Sequence, residues 1–322
     1  MGPPRDRRPR CHHAARSPDR GRCPRRRGSG ARRLDRGRSA GRSRALRTVD
    51  PGGEVVPVGL HQEMTMARPS GDFTTLARAY AQSRPGYSER VLEALIRFVS
   101  AERPVRAVAD IGAGTGIFSR MLARHGLDVT AVEPNDAMRR EGIATSAGVP
   151  IHWHSGRAER TGLPDRCFDW VTVASAFHWV ELPAGLIEIH RILRPGGYLT
   201  VLWNPRDIDG HPLHERIEAV IEEIVPDLRR VSSGSRRHAA DWESVLVSTG
   251  HFSDPILFEA PHEERMSRER YMTAWRSVCD IQEQAGPERF EEILRRIAEI
   301  VEAHEEIVVP YRTRAWTVRR CS

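Results

Sequence analysis

Val108-Ala109-Asp110-Ile111-Gly112-Ala113-Gly114-Thr115-Gly116 decides the fold of this chain. An apolar run that reads as a strand ends at Ile111, three alternating glycines make a turn, and a helical pattern opens at Gly116. Glycine suits that turn because the backbone must bend tightly and admit a ligand within contact distance. The spacing is G-x-G-x-G rather than the G-x-G-x-x-G of dinucleotide sites. Asp110 stands two residues before the first glycine, and Glu133 ends the next apolar run, 23 residues after Asp110. A carboxylate at Asp110 would repel a dinucleotide phosphate and attract a cationic ligand. An acid at Glu133 can accept both hydroxyls of a ribose, each charged hydrogen bond contributing roughly 1.5–3 kcal/mol.

Outward from this turn, strand and helix signals alternate. Strands are predicted at Val105–Ile111, Leu127–Glu133, Val149–Trp153, Trp170–Ala174 and Tyr198–Trp203, the last entered through the turn Arg194-Pro195-Gly196-Gly197. Helices are predicted at Gly116–His125, Asn135–Ile143 and Ala184–Leu193. Short apolar runs alternating with helices imply an α/β fold, a doubly wound parallel sheet with helices on both faces. Upstream, Phe73, Leu76, Ala77, Tyr80 and Ala81 fall at helical spacing, and Arg84-Pro85-Gly86-Tyr87 breaks the pattern. Ser88 is placed as the N-cap of a second helix whose apolar stripe is Val91, Leu92, Leu95, Ile96 and Val99. Downstream come a helix at His211–Ile224, a short strand at Pro255–Phe258, and helices at Ser267–Cys279 and Pro287–His304. A closing strand spans Ile307–Val318, where Pro310 suggests an edge position. The expected organisation is a tail over 1–63, N-terminal capping helices over 64–104, a ligand-binding core over 105–210, and sheet completion with substrate-cap helices over 211–322.

The 322 residues are 39% hydrophobic and 29% charged, which suits a soluble globular chain. No stretch approaches the ~18 consecutive apolar residues of a transmembrane helix, and no apolar leader opens the chain, so a cytoplasmic location without a membrane partner is expected. The net charge of +7 divides unevenly. Residues 1–63 carry 17 arginines against 6 acids, a net of +11, while the other 259 carry 33 against 37, a net of −4. The tail's composition predicts disorder, and the folded body offers no electrostatic case for nucleic acid. The five cysteines are scattered and never form a C-x-x-C pair, which argues against a disulfide framework and for a reducing compartment.

Several blocks in fixed order now give the chain a family likeness. DIGAGTG at 110–116, Val132-Glu133-Pro134-Asn135 with Met138, Gly156-Arg157-Ala158-Glu159, Phe168–Val173 and Leu193–Gly197 together resemble the class I S-adenosylmethionine-dependent methyltransferases. The match covers about residues 70–205 and looks most like the small-molecule type 11 branch, trans-aconitate methyltransferase-like. The resemblance implies a Rossmann-like seven-stranded sheet, mostly parallel with an antiparallel last strand, and a helical cap. It implies S-adenosyl-L-methionine as cofactor and direct displacement of its methyl group. By that likeness Gly112, Ala113, Gly114 and Gly116 line the methionine part, and Asp110 faces its positive charge. Glu133 and Pro134 then meet the ribose, Met138 the adenine, Ala158 and Glu159 the base edge, with Ala174 and Phe177 nearby. Tyr80 and Arg84, one helical turn apart, approach the cofactor carboxylate.

The substrate side is read from residues after the fourth strand. In Ser175-Ala176-Phe177-His178-Trp179, His178 is a candidate general base or a substrate hydrogen-bonding group, and Trp179 a candidate substrate contact. Trp275, on the Tyr271–Cys279 stripe, is a candidate substrate contact or a packing residue. Arg268, Arg270, Arg276, Arg312 and Arg314 could favour an acidic acceptor or simply solvate the surface. His152 with His154, and His211 with His214, lack companion ligands at metal spacing, so no metal is expected. Cys167 reads as a small packing residue. The expected partner is a small-molecule methyl acceptor, oxygen favoured, bound by a monomer or homodimer. The alternatives are an NAD-dependent oxidoreductase and a non-catalytic cofactor-binding protein whose basic tail binds nucleic acid.

Overall fold

The computed structural model describes residues 74–228 and 241–321. The basic tail expected over 1–63 lies outside them, as does Phe73. Two helices lead in, α1 (Ala77–Ser83) and α2 (Glu89–Val99). Ser88 occupies the N-cap of α2, but its side chain makes no capping bond; its backbone N–H instead donates to Thr313 Oγ1 at 2.8 Å. The core then runs β1 (Ala107–Ile111), α3 (Ile117–Arg124), β2 (Asp128–Val132), α4 (Asp136–Thr145), β3 (Ile151–His154), β4 (Phe168–Ala174), α5 (Ala184–Ile192) and β5 (Leu193–Trp203). It continues through α6 (Pro212–Ile224), α7 (Trp242–Val247), β6 (Ile256–Ser267), α8 (Arg268–Arg276), α9 (Cys279–Ile300) and β7 (Glu306–Arg319).

Among the described residues these strands form one seven-stranded sheet in the order β3-β2-β1-β4-β5-β7-β6. β1 to β5 are parallel, and β7 runs antiparallel to both of its neighbours. Alternation along each central strand feeds two faces. Ala109, Ile111, Val171, Val173, Leu199 and Val201 pack on α5, while Val108, Val129, Trp170 and Leu202 pack on α2 and α3. Most of these side chains are fully buried, each aliphatic one contributing about 1.5–3 kcal/mol. A third cluster joins α6, α8 and α9 to Ile307, Val309 and Tyr311 of β7.

Four expectations change. β7 is an interior strand, not an edge. Pro310 is tolerated because it lies beyond the end of β5, and its carbonyl accepts from Asp207 N at 2.9 Å. In an antiparallel strand a residue's N and C=O point to the same side, so the missing N–H faces that side and leaves the β6 ladder whole. The strand expected at Pro255–Phe258 extends to Ser267, its exposed residues Glu259, Glu263 and Arg265 belonging to an edge. Cys167 and Cys321 are each engaged in a disulfide, against the expectation of scattered thiols, while the Cys279 thiol donates to Glu283 Oε1 at 3.1 Å. The helix expected from Pro287 is the second part of α9, which kinks at Gly286 (φ 74°).

Candidate functional site

The C-terminal ends of the parallel strands lie side by side, and the loops leaving them build the site. β1 and β2 are in register, Ile111 opposite Val132, so the glycine turn and Glu133 emerge next to each other. Gly112, Gly114 and Gly116 have φ of 67°, 57° and 76°, the left-handed region that favours glycine. Gly112 also has a neighbour problem: a Cβ there would stand 2.6 Å from the Ala176 Cβ of the loop after β4. The Gly112 and Ala113 N–H groups both donate to Val132 O, at 2.8 and 3.1 Å, which pins the turn to β2.

Asp110 is 1% exposed beneath this turn. Its Oδ2 accepts from Ser119 Oγ at 2.5 Å and its Oδ1 from Thr172 Oγ1 at 2.8 Å. Burial pushes its pKa up to about 6, against the pull of those two hydroxyls. Its charge therefore reaches a ligand through space, while its oxygens are held by the protein.

Glu133 is 7% exposed. Gly114 N donates to its Oε2 at 2.9 Å and Asn135 N to its Oε1 at 2.8 Å. Burial raises its pKa, opposed by these N–H groups and by Arg139. Each oxygen accepts one of these bonds and has further lone-pair capacity for a second donor. Asn135 caps α4 by accepting from Ala137 N and Met138 N. The cap turns Met138 inward, where its Cε is 3.4 Å from the position of a Gly114 Cβ. Pro134 is exposed beside it.

The later loops close the far side. Glu159 Oε1 accepts from Glu181 N at 2.8 Å, tying the Ala158–Glu159 segment to the loop after β4, and Ala158 packs against the main core. Ala174 is half-buried at the end of β4, and the Phe177 ring turns into the core against Trp242. Ser175 holds φ 53°, a strained value for a residue with a Cβ, and its Oγ accepts from the Tyr87 hydroxyl at 2.8 Å. His178 Nδ1 accepts from Trp203 Nε1 at 3.4 Å, and the His178 ring lies 4.7 Å from that of Trp179. With Nδ1 an acceptor, the neutral imidazole carries its proton on Nε2. That tautomer suits a hydrogen-bond donor better than a base.

Tyr80 and Arg84 do come together. The Arg84 guanidinium lies 4.9 Å over the Tyr80 ring and donates to Ser277 Oγ and O, both at 3.0 Å, at the end of α8. α1 thus spans α4 and α8 across the strand ends. Trp275 of α8 is 1% exposed, with the Arg206 guanidinium 3.9 Å over its ring. Sequence reasoning missed Tyr87, Asn204 and Arg206. Tyr87 sits in what reads as a break, but Asn204 and Arg206 follow the end of a parallel strand, where α/β sheets place ligand contacts. Asn204 Nδ2 donates to Gly86 O at 2.9 Å and joins the two missed segments. Among the described residues no group of three His, Cys, Asp or Glu could hold a metal ion, and no helix is long and apolar enough to cross a membrane.

A family model described as a methyltransferase domain matches residues 109–201. An uncharacterized methyltransferase of Mycobacterium tuberculosis is 32% identical over 193 residues, which cover 54% of this chain and 71% of that protein. The ubiquinone/menaquinone biosynthesis C-methyltransferase of Methylobacterium nodulans is 32% identical over 178 residues, 52% of this chain and 69% of its own. Among solved structures, a Haemonchus contortus phosphoethanolamine N-methyltransferase in complex with S-adenosyl-L-methionine aligns at a TM-score of 0.45 and 14% identity, over 77% of this chain and 57% of that one.

Proposed function

Because this chain belongs to the class I S-adenosylmethionine-dependent methyltransferase family, we propose that it transfers a methyl group from S-adenosyl-L-methionine to a small organic molecule, oxygen being the favoured acceptor atom. The observation that carries this reading is the pairing of Glu133 with the Gly112–Gly116 turn on adjacent strand ends. The residues fit the cofactor chemically. Glu133 keeps acceptor capacity for ribose hydroxyls, Met138 offers an apolar surface beside Gly114, and Asp110 supplies negative charge under the turn.

The cofactor, when bound, supplies a methyl group on a positively charged sulfur that an acceptor displaces in line. The protein's part is then alignment, and holding two reactants in place can supply about 7–11 kcal/mol. Asp110 favours the cation electrostatically without spending a hydrogen bond on it. His178, held through Nδ1 by the Trp203 indole, and Trp179 shape the loop after β4 that would stand against the acceptor. The finer kinship with the trans-aconitate branch rests on the Phe177-His178-Trp179 block and sets a preference for oxygen.

Isothermal titration of the full chain with S-adenosylhomocysteine, with NADH as control, tests the reading. Binding of the homocysteine ligand is expected, with Glu133→Ala lowering affinity by at least about 100-fold through loss of two charged hydrogen bonds. Binding of NADH instead, or of neither ligand, overturns it.

A further inference from the structure

The arginines around the cap differ in how their charge is met. Arg270 pairs with Glu264 at 2.6 Å, Arg312 with Asp207 at 2.6 Å, and Arg314 with Glu259 at 2.5 Å, while Arg268 donates to Glu302 O at 2.5 Å. The first three are paired with carboxylates where they stand, and Arg268 is held by a backbone carbonyl at the surface. The Arg206 side chain is only 17% exposed, and its carboxylate partner among the described residues is Glu218, at 4.0 Å. Its guanidinium carbon lies 3.9 Å over Trp275 and 5.9 Å over Tyr271, and Tyr311 takes a side-chain hydrogen bond. Burial opposes the charge, but Tyr271, Tyr311 and Glu218 hold the pKa above its ordinary value, so Arg206 stays a cation. His214, in the same cluster, is kept neutral by burial and adds no competing charge.

The backbone places this cation at the reacting side. Arg206 follows Trp203, which meets His178, and Asn204, which meets Gly86. Tyr87 meets Ser175, and α8, which carries Trp275, is tied to Arg84 through Ser277. A largely buried guanidinium whose carboxylate partner stands at the outer limit of ion pairing is costly unless something anionic completes it.

We propose that Arg206 binds a carboxylate of the methyl acceptor, an inference that rests on the methyl-transfer reading above and narrows the acceptor to an organic acid. The planar fork of a guanidinium matches a carboxylate in a two-bond contact. Trp275, Tyr271 and Tyr311 are buried and hold the guanidinium in place from beneath. A carboxylate gripped in this way is a poor nucleophile, because its lone pairs are engaged and its charge is offset. It is the handle of the acceptor, and the methyl group goes to another atom of the same molecule. Trp275 is then a positioning residue that fixes the guanidinium plane.

The test uses the full chain, with and without saturating S-adenosylhomocysteine, titrated calorimetrically with benzoate, benzamide and inorganic phosphate. Benzoate is expected to bind at least about tenfold more tightly than benzamide or phosphate. Arg206→Met should weaken benzoate by about thirty-fold and leave homocysteine-ligand affinity within about twofold. Arg206→Lys, which keeps the charge and loses the fork, should fall between, and it decides the matter if Arg206→Met does not fold. Equal binding of benzoate and benzamide, no benzoate binding, tighter phosphate binding, or an Arg206 variant with unchanged benzoate affinity overturns the proposal. Failure of S-adenosylhomocysteine alone to bind overturns the methyl-transfer reading, and benzoate binding to the ligand-free chain still decides the role of Arg206.

Discussion

At the ends of β1 and β2 sit two anions, Asp110 and Glu133, whose oxygens are already met by hydroxyls and backbone N–H groups. Beyond the end of β5 sits a cation, Arg206, laid on an aromatic face with its carboxylate partner at 4.0 Å. In the first region Asp110 is finished by the protein and offers charge through space, while Glu133 is fixed by backbone N–H groups and keeps room for further donors. The second is unfinished and suits a partner that brings its own charge. The two halves also differ in how they are made. The glycine turn and Glu133 are assembled by neighbouring strands and a tight loop, whereas the surroundings of Arg206 come from α6, α8 and β7.

The largest expected effect would break the first half alone. Gly112→Ala meets both a φ of 67° and a 2.6 Å approach to Ala176, so a loss of about 2–4 kcal/mol in unfolding free energy is expected by denaturant titration. Gly210→Ala is the control. Gly210 has φ 80°, and a Cβ there would meet nothing within 4 Å, so about 1 kcal/mol is expected. Similar losses for both would show that the turn is not packed against the β4 loop.

A smaller effect probes the second half. His214 Nε2 donates to Val308 O at 2.9 Å, and its Nδ1 accepts from the Tyr271 hydroxyl at 3.2 Å. His214→Ala leaves both groups without that partner and should cost about 2 kcal/mol. Homocysteine-ligand affinity should stay within about twofold, and a larger loss would mean that the two halves are coupled.

The smallest effect is a pH response. Burial raises the Asp110 pKa to about 6, so between the ordinary carboxylate value and 6 the folded chain holds a proton that the unfolded chain releases. The stability this group contributes is therefore greatest at low pH and declines as pH rises through about 6. A sulfonium favours the ionised form. The preference for S-adenosylmethionine over its uncharged-sulfur product should accordingly grow, by about tenfold at most, as pH rises from about 5 to 7. Asp110→Asn should flatten that growth, and an equal pH response for both ligands in the unmodified chain would remove Asp110 from cation recognition.

Legibility in the sequence follows the same division. β1, β2 and the glycine turn were readable because apolar runs and three glycines sit within about 25 residues of one another. The length of β6 was not, because an edge strand carrying Glu259, Glu263, Glu264 and Arg265 lacks the apolar run that marks a buried strand. α7 was missed because its six residues are too short for periodicity to register. The positive φ at Ser175 has no sequence signal, and its partner Tyr87 lies 88 residues away in the chain. Arg206 looked like one arginine among fifty until the fold placed Trp275 beneath it.

The interior position of β7 bears on how the chain is made. β5 pairs with β7, which follows it by roughly a hundred residues, and β6 pairs with β7 in turn. At a synthesis rate of about 5–20 residues per second, the flank of β5 from Tyr198 to Trp203 stands open for at least several seconds before its partner leaves the ribosome. During that interval the nascent sheet carries an exposed apolar edge able to pair with another chain. The last strand to emerge must then insert between β5 and β6, so completing the sheet is a late event in biogenesis.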